Sequence, residues 1–358
     1  MNSNSILPSR SLGSTFLANV FHMNLKSVAL TLLASVVALT ICVPAFARGA
    51  TVEKNDNFTL TIIHTNDVHA NYDGFKADNH ICYEDICKGG YGGALRLQRD
   101  VKALKRQYPQ ALVMDAGDQF LGTLFWTIHK EVATLAVMNA IGYQFFVPGN
   151  HEFDDGHLTF KKLVDNLVTQ VLAANLVIND PSLSMPKISP YTIVNINGRK
   201  VAVIGLITED SDVSRSLISG TKGKIPFTLL KEKATLSSMI KKINEQGVDI
   251  IVLLSHIGLP RDLAYASELD GLDIIVGGHT HNFLGDVLDS EGPYPIVVNS
   301  PKGDPVLVVT TGSSGSYLGL LNVQFDEQGR AIKWSGAPLH LDDQTLSRLK
   351  APPIDHQL

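Results

Sequence analysis

Seven side chains able to ligate a metal stand directly after apolar runs in this sequence. Asp67 and His69 close "TIIHTNDVH", Asp118 closes "LVMDAGD", and Asn150 follows Phe145-Phe146-Val147. His256 ends "IVLLSH", and His279 and His281 end "IIVGGHTH". Taken one at a time, most of these have an ordinary structural use. Asp67 could bond its own backbone in a turn, Asp118 after Gly117 reads as a turn, and Asn150 could cap a helix. A histidine at the end of an apolar strand is commonly a hydrogen-bonded core residue. His279 and His281 are the sharper signal, because alternate strand residues point the same way. Their joint occurrence, each just past an apolar run, argues for one site. In open α/β folds, sites form beyond the carboxyl ends of strands.

Imidazole, carboxylate and amide oxygen without thiolate suit Zn, Mn, Fe or Co better than copper or calcium. Seven ligands exceed one tetrahedral centre, so the set points to two divalent metal ions sharing one carboxylate. Two ions about 3.5–4 Å apart can clamp an in-line displacement at phosphorus and bring the pKa of a bound water toward about 7. The chemistry expected is hydrolysis of a phosphoester.

The segments "IIHTNDVHA", "MDAGDQFLGT", "VPGNHEFDDG", "LLSHIG" and "VGGHTH" occur in that order over residues 60–283. Together they resemble the calcineurin-like metallophosphoesterases, most closely the exported 5′-nucleotidase family, and the likeness continues through "YLGLLNVQFDEQG". The resemblance implies a four-layer α/β/β/α sandwich. It implies one metal on Asp67, His69, Asp118 and His281, and a second on Asp118, Asn150, His256 and His279, with Asp118 as bridge. His281 departs slightly, since relatives often place an amide there. His151 would face the substrate, stabilising charge on the phosphoryl oxygens and passing a proton to the leaving group. Asp154 would orient His151, and Glu152 would be a supporting residue. The family's 5′-nucleotidases carry a C-terminal domain whose aromatics stack on the base. This sequence is expected to lack it, so nucleotide specificity follows less firmly than phosphoester hydrolysis.

The elements that must position these residues alternate. Strands are expected at "FTLTIIH" (58–64), "ALVMD", "YQFFV", "QVLAANLV" (170–177), "VDIIVLLSH" and "LDIIV". Helices are expected over residues 93–107, 131–142, 157–168, 229–247 and 261–269, from apolar residues at helical spacing. Asn197-Gly198 within "YTIVNINGRKVAVIGLIT" signals a hairpin turn, and "PVLVVTTG" and "YLGLLNVQFDEQGRAIKW" read as antiparallel hairpins. Continuous apolar strands between amphipathic helices imply two packed sheets with helices outside. Residues 48–340 form the expected catalytic domain, and 341–358, with Pro352-Pro353, a linker or tail.

Of the 358 residues, 44% are hydrophobic and the formal charge is −5, with no basic run interleaved with aromatics, which argues against a nucleic-acid partner. Residues 1–47 read as a signal peptide, with Met23 as an alternative start. Met23-Asn24-Leu25-Lys26 leads into the apolar run Ser27 to Val43, and Ala45-Phe46-Ala47 is an A-x-A cleavage pattern. That run is short for a membrane span, which needs roughly 20 apolar residues. Export, to a periplasm or the extracellular space, would remove Cys42 and leave Cys82 and Cys87 in an oxidising compartment. The pair reads as a disulfide; half of a zinc site and two free thiols are the other readings. Nothing in the sequence sets an oligomeric state. The expected protein is an exported hydrolase of nucleoside 5′-monophosphates or related small phosphoesters. A broad phosphatase or phosphodiesterase, and a catalytic domain repurposed to bind metal or a partner, are its rivals.

Overall fold

The run Phe58–Thr65 is buried at every position but Thr59. A strand so apolar must be covered on both faces. It pairs antiparallel with Tyr317–Phe325 and parallel with Leu112–Asp115. The sheet built around it runs in the order Ala331–His340, Tyr317–Phe325, Phe58–Thr65, Leu112–Asp115, Phe145–Phe146, Gln170–Leu172 and Ile188–Ser189. A second sheet has the order Ile296–Asn299, Pro305–Val309, Ile274–Val276, Ile250–His256, Arg199–Ile207 and Tyr191–Ile196. Both sheets mix parallel and antiparallel pairs. The computed structural model describes residues 58–82, 88–210 and 226–348, all within one compact unit, Lys54–Leu358. The other unit, Met1–Glu53, lies outside the described residues, and with it the expected signal peptide.

Side-chain alternation explains the layers. In Arg199–Ile207, Val201, Val203 and Ile207 join the core that also contains Leu60, Ile62 and Met114 of the first sheet. Ala202, Ile204 and Leu206 point the other way. They pack with Leu236, Ile240 and Ile243 of the helix Glu232–Asn244 and with Ala266 of Leu259–Glu268. The first sheet is covered by Ala94–Gln107, Glu131–Ile141 and His157–Asn166, through Leu97, Val101, Met138, Ile141, Phe160 and Leu163. Each such side chain contributes about 1.5–3 kcal/mol on full burial. The result is the expected α/β/β/α order, with helices outside two mixed sheets.

The differences from expectation have local causes. "QVLAANLV" is not one strand. Gln170–Leu172 belongs to the first sheet, whereas Leu176–Ile178 pairs with Phe227–Leu229 in a separate ribbon. The break falls at buried Asn175. Its side-chain amide donates to Ile207 O at 2.7 Å and accepts from Ile207 N at 3.0 Å, standing in for a strand neighbour. The helix Leu124–His129 was not foreshadowed by periodicity; the Thr123 hydroxyl caps it by accepting from Phe125 N. Pro305–Val309 is antiparallel to Ile296–Asn299 but parallel to Ile274–Val276.

Residues 341–348, expected as the start of a linker, are docked. Leu341 and Thr345 are fully buried, and Asp343 meets Arg96 of the helix Ala94–Gln107 at 3.0 Å. Residues 349–358 lie outside the described residues. Cys82 is buried and disulfide-bonded; Cys87, its expected partner, lies outside the described residues. Among the described residues, no helix is long and apolar enough to cross a membrane.

Candidate metal centre

The turns that follow the strands carry the expected ligands, and their backbones are unusual. Asp67, His69, Asp118, His279 and His281 have φ of 51°, 50°, 56°, 81° and 56°. Left-handed conformations are uncommon for residues other than glycine. They cost about 1–3 kcal/mol each and persist only where neighbours over-determine them. The neighbours here are specific. Asp67 N donates to Gly117 O, His69 N to Asp118 O and Ala70 N to Gln119 O, at 2.9–3.0 Å, so the first two turns are laced together. His279 N donates to both oxygens of Asp67, at 3.1 and 3.0 Å.

Three polar residues that are not themselves candidate ligands hold this arrangement. Glu152 is fully buried, and its carboxylate accepts from Asp118 N, Gln119 N, Phe120 N and Gly149 N at 2.5–3.0 Å. Asn66 donates to Gly312 O and Asp67 Oδ2 and accepts from Thr311 N and Oγ1, which ties the first turn to the end of the second sheet. Asp115 accepts from Thr65 Oγ1, Gly117 N and Gln119 Nε2. Sequence reasoning assigned Glu152 a supporting place but passed over Asn66 and Asp115. The available signal was a polar residue immediately beside each ligand motif, in "HTND" and "MDAGD".

Two ligand groups result. Asp67, His69, Asp118 and His281 form one; Asp118, His256 and His279 form the other, and within each the ligand atoms lie within 4.8 Å of one another. Asp118 belongs to both. Asn150 completes the second group: its Oδ1 lies 3.1 Å from His256 Nε2 and 2.8 Å from His279 Nδ1. His69 Nε2 lies 3.0 Å from His281 Nε2. All seven residues expected as ligands therefore come together. His151 belongs to neither group; its ring centre is 5.4 Å from that of His69, and its Nδ1 lies 2.5 Å from Asp154 Oδ2.

The donor set fits cations. His69 Nδ1 lies on Phe120 O and His256 Nδ1 on Ala116 O, so each Nδ1 carries the proton and each neutral ring turns a bare Nε2 inward. Those lone pairs meet carboxylate oxygens and the Asn150 carbonyl, all acceptors as well. Such a cage demands positive charge. In the absence of a cation a proton supplies it. Burial pulls the His256 imidazole down, but the Asp118 carboxylate at 3.1 Å outweighs burial and raises it to about 10. Burial likewise pushes the Asp118 carboxyl up, and His256 more than reverses that, holding it well below the usual range. Burial and the Asp118 charge push Glu152 up to about 7, against the backbone N–H groups that favour its ionised form. Two cations sharing Asp118 would satisfy the same acceptors, with imidazole, carboxylate and amide ligands suited to Zn, Mn, Fe or Co.

The model of the calcineurin-like phosphoesterase family matches residues 60–283. A snake venom 5′-nucleotidase from Naja atra is 35% identical over 294 residues, covering 80% of this chain and 54% of that protein. The 5′-nucleotidase of Homo sapiens is 32% identical over 296 residues, covering 79% and 49%. Among solved structures, the 5′-nucleotidase precursor from Thermus thermophilus superposes with a TM-score of 0.72 at 31% identity, over 80% of this chain and 55% of that one. The chain thus spans about half the length of these relatives.

Proposed function

The chain belongs to the calcineurin-like phosphoesterase family, in its 5′-nucleotidase branch, and from that premise we propose that it hydrolyses phosphoesters, with nucleoside 5′-monophosphates or related nucleotides as substrates. The observation that carries the reading is the sharing of Asp118 between two ligand groups. Asp67, His69, Asp118 and His281 would hold one divalent ion, and Asp118, Asn150, His256 and His279 the other. When bound, the pair supplies Lewis acidity toward phosphoryl oxygens and a nucleophile drawn from water near neutral pH.

The chain's own residues do the remaining work. His151 stands beside the centre with Nδ1 on the Asp154 carboxylate, which favours a proton on Nδ1 and fixes the ring. Burial lowers the His151 imidazole, and the hydrogen bond to Asp154 together with the charges of Asp118, Asp154 and Glu152 raises it further than burial lowers it. A protonated imidazole at this position can donate to a phosphoryl oxygen and then to the departing alkoxide. Asn150 joins the metal cluster to the short turn His151–Phe153, so ligand and proton donor move as one unit. Export to a periplasm or the extracellular space is part of this reading, and the Cys82 disulfide is in keeping with it.

The test is phosphate release by the metal-loaded full chain from adenosine 5′-monophosphate, ribose 5-phosphate and a simple aryl phosphate. A preference of tenfold or more for the nucleotide supports the substrate class. Equal rates favour a broad phosphatase, and no release from any of them overturns the reading.

A further inference from the structure

His279 sits in the centre the other way round from two of its neighbours. His69 and His256 turn Nε2 inward and rest Nδ1 on backbone carbonyls, Phe120 O at 3.1 Å and Ala116 O at 2.6 Å. His279 turns Nδ1 inward, 2.8 Å from Asn150 Oδ1, and its Nε2 lies 3.3 Å from Asp210 Oδ2. Of these three imidazoles, only this one has its outer nitrogen facing a carboxylate.

Asp210 is itself fixed in place. It follows the strand Arg199–Ile207, and its backbone N donates to Thr208 Oγ1. Arg261 Nη2 donates to Asp210 Oδ2 at 2.7 Å and to Thr208 Oγ1 at 3.0 Å. Arg261 Nη1 donates to Glu232 Oε1 at 2.8 Å, and Tyr265 OH donates to Glu232 Oε2 at 3.1 Å. The guanidinium thus bridges two carboxylates and holds the half-exposed Asp210 beside His279. Both acids together outweigh the one arginine, so the support retains net negative charge.

We propose that Asp210 is a positioning residue for the ion held by Asp118, Asn150, His256 and His279, and that it strengthens that position and not the other. Its carboxylate faces His279 Nε2 at 3.3 Å, which favours the tautomer with the proton on Nε2 and leaves Nδ1 bare and aimed at the cluster. Its charge raises the electron density of the ring, as a carboxylate behind a ligating imidazole does. Loss of such a partner typically costs 10–100-fold in metal affinity. Backbone carbonyls behind His69 and His256 orient their rings without lending a full charge. The proposal rests on the two-ion reading above.

The test is calorimetric titration of the metal-free full chain with Zn²⁺, for wild type, Asp210→Asn and Asp210→Ala, beside thermal melts of the same metal-free samples. Wild type should show two binding steps. Asp210→Ala should weaken one step by roughly 10–100-fold and leave the other step and the metal-free melting temperature nearly unchanged. Asp210→Asn should fall between wild type and Asp210→Ala, because its amide oxygen still faces Nε2 but without the full charge. Crystals of Asp210→Ala at limiting Zn²⁺ should lose anomalous density between His256 and His279 before the position beside His69 and His281. Two unchanged steps in Asp210→Ala overturn the proposal alone. Equal loss in both steps with a lower metal-free melting temperature reduces Asp210 to a structural residue and also overturns it. Fewer than two ions on wild type overturns the two-ion reading, and the proposal with it.

Discussion

Glu152 Oε2 accepts the backbone N–H of Asp118 at 3.0 Å, although the residues are 34 apart in sequence. The same carboxylate takes the N–H groups of Gln119, Phe120 and Gly149, so one buried acid shapes the turn that holds the shared ligand. Glu152→Gln turns an NH₂ group toward these donors and strands at least one of them. An unsatisfied buried donor costs about 1–3 kcal/mol. We expect a stability loss of about 2–4 kcal/mol by urea denaturation of the metal-free protein, together with weaker uptake of both ions. An unchanged denaturation midpoint would show that the turn does not depend on this carboxylate.

Gly149 is there for close approach. A Cβ at this position would overlap the Asp118 carboxylate and crowd Asp118 N at 2.7 Å. Gly149→Ala should therefore cost about 1–3 kcal/mol, as overpacking does, and remove both ions, because Asp118 serves both groups. The control is Gly142→Ala. Gly142, unlike Gly149, has positive φ, 85°, but nothing lies within 4 Å of an added Cβ. Its metal content, read by plasma emission, should match wild type.

The ligand set was legible in the sequence because strand ends announce themselves. The apolar runs before Asp67, Asp118, His256 and His279 mark where strands must stop; the strand alternation expected for His279 and His281 does not hold, because the strand ends at Val276 and both histidines lie in the turn beyond it with positive φ. Of the supports, Glu152 was read as a supporting residue, but the contacts that Glu152, Asn66 and Asp210 make were not legible. Glu152, Asn66 and Asp210 act on turns that come together only in three dimensions, and no periodicity links Asp210 to His279. The same limit broke "QVLAANLV". Its apolar pattern is continuous, but the Asn175 amide binds Ile207 from another sheet and divides it. The docking of residues 341–348 follows from the buried Leu341 and the Asp343–Arg96 contact, neither of which a short polar segment declares.

Asp262, which is not a candidate ligand, gives a pH test. It is fully buried, accepts from Ser255 Oγ at 2.6 Å, and its Oδ2 has no partner among the described residues. Burial pushes its carboxyl from 3.8 up to about 7. A folded-state pKa raised above the unfolded value stabilises fully below the unfolded pKa, and the stabilisation is lost as pH rises through the folded one. The window is therefore about pH 4 to 7. Asp262→Asn cannot ionise, so it should equal wild type near pH 4 and exceed it by roughly 3–4 kcal/mol above pH 7. Parallel melting curves for the two metal-free proteins across that window would refute the assignment.

Asp154 should act on rate and not on metal. In Asp154→Asn, His151 loses the carboxylate that raises its pKa and fixes its ring. A drop in kcat of about 10–100-fold is expected, at the lower end of what a positioned acid or base contributes. Metal content should stay at the wild-type value, and the alkaline limb of the kcat profile should move to lower pH. Loss of metal in this variant would place Asp154 in the cluster instead.

The central claim is that Asp118 joins two cations in one centre. Anomalous diffraction at the zinc edge, from crystals of the reconstituted full chain and of Asp118→Ala, tests it most directly. The account predicts two peaks flanking the Asp118 carboxylate in wild type, one beside His69 and His281 and the other beside His256 and His279. It predicts that neither peak survives at full occupancy in the variant. A single peak in wild type, or two full peaks without Asp118, would contradict it.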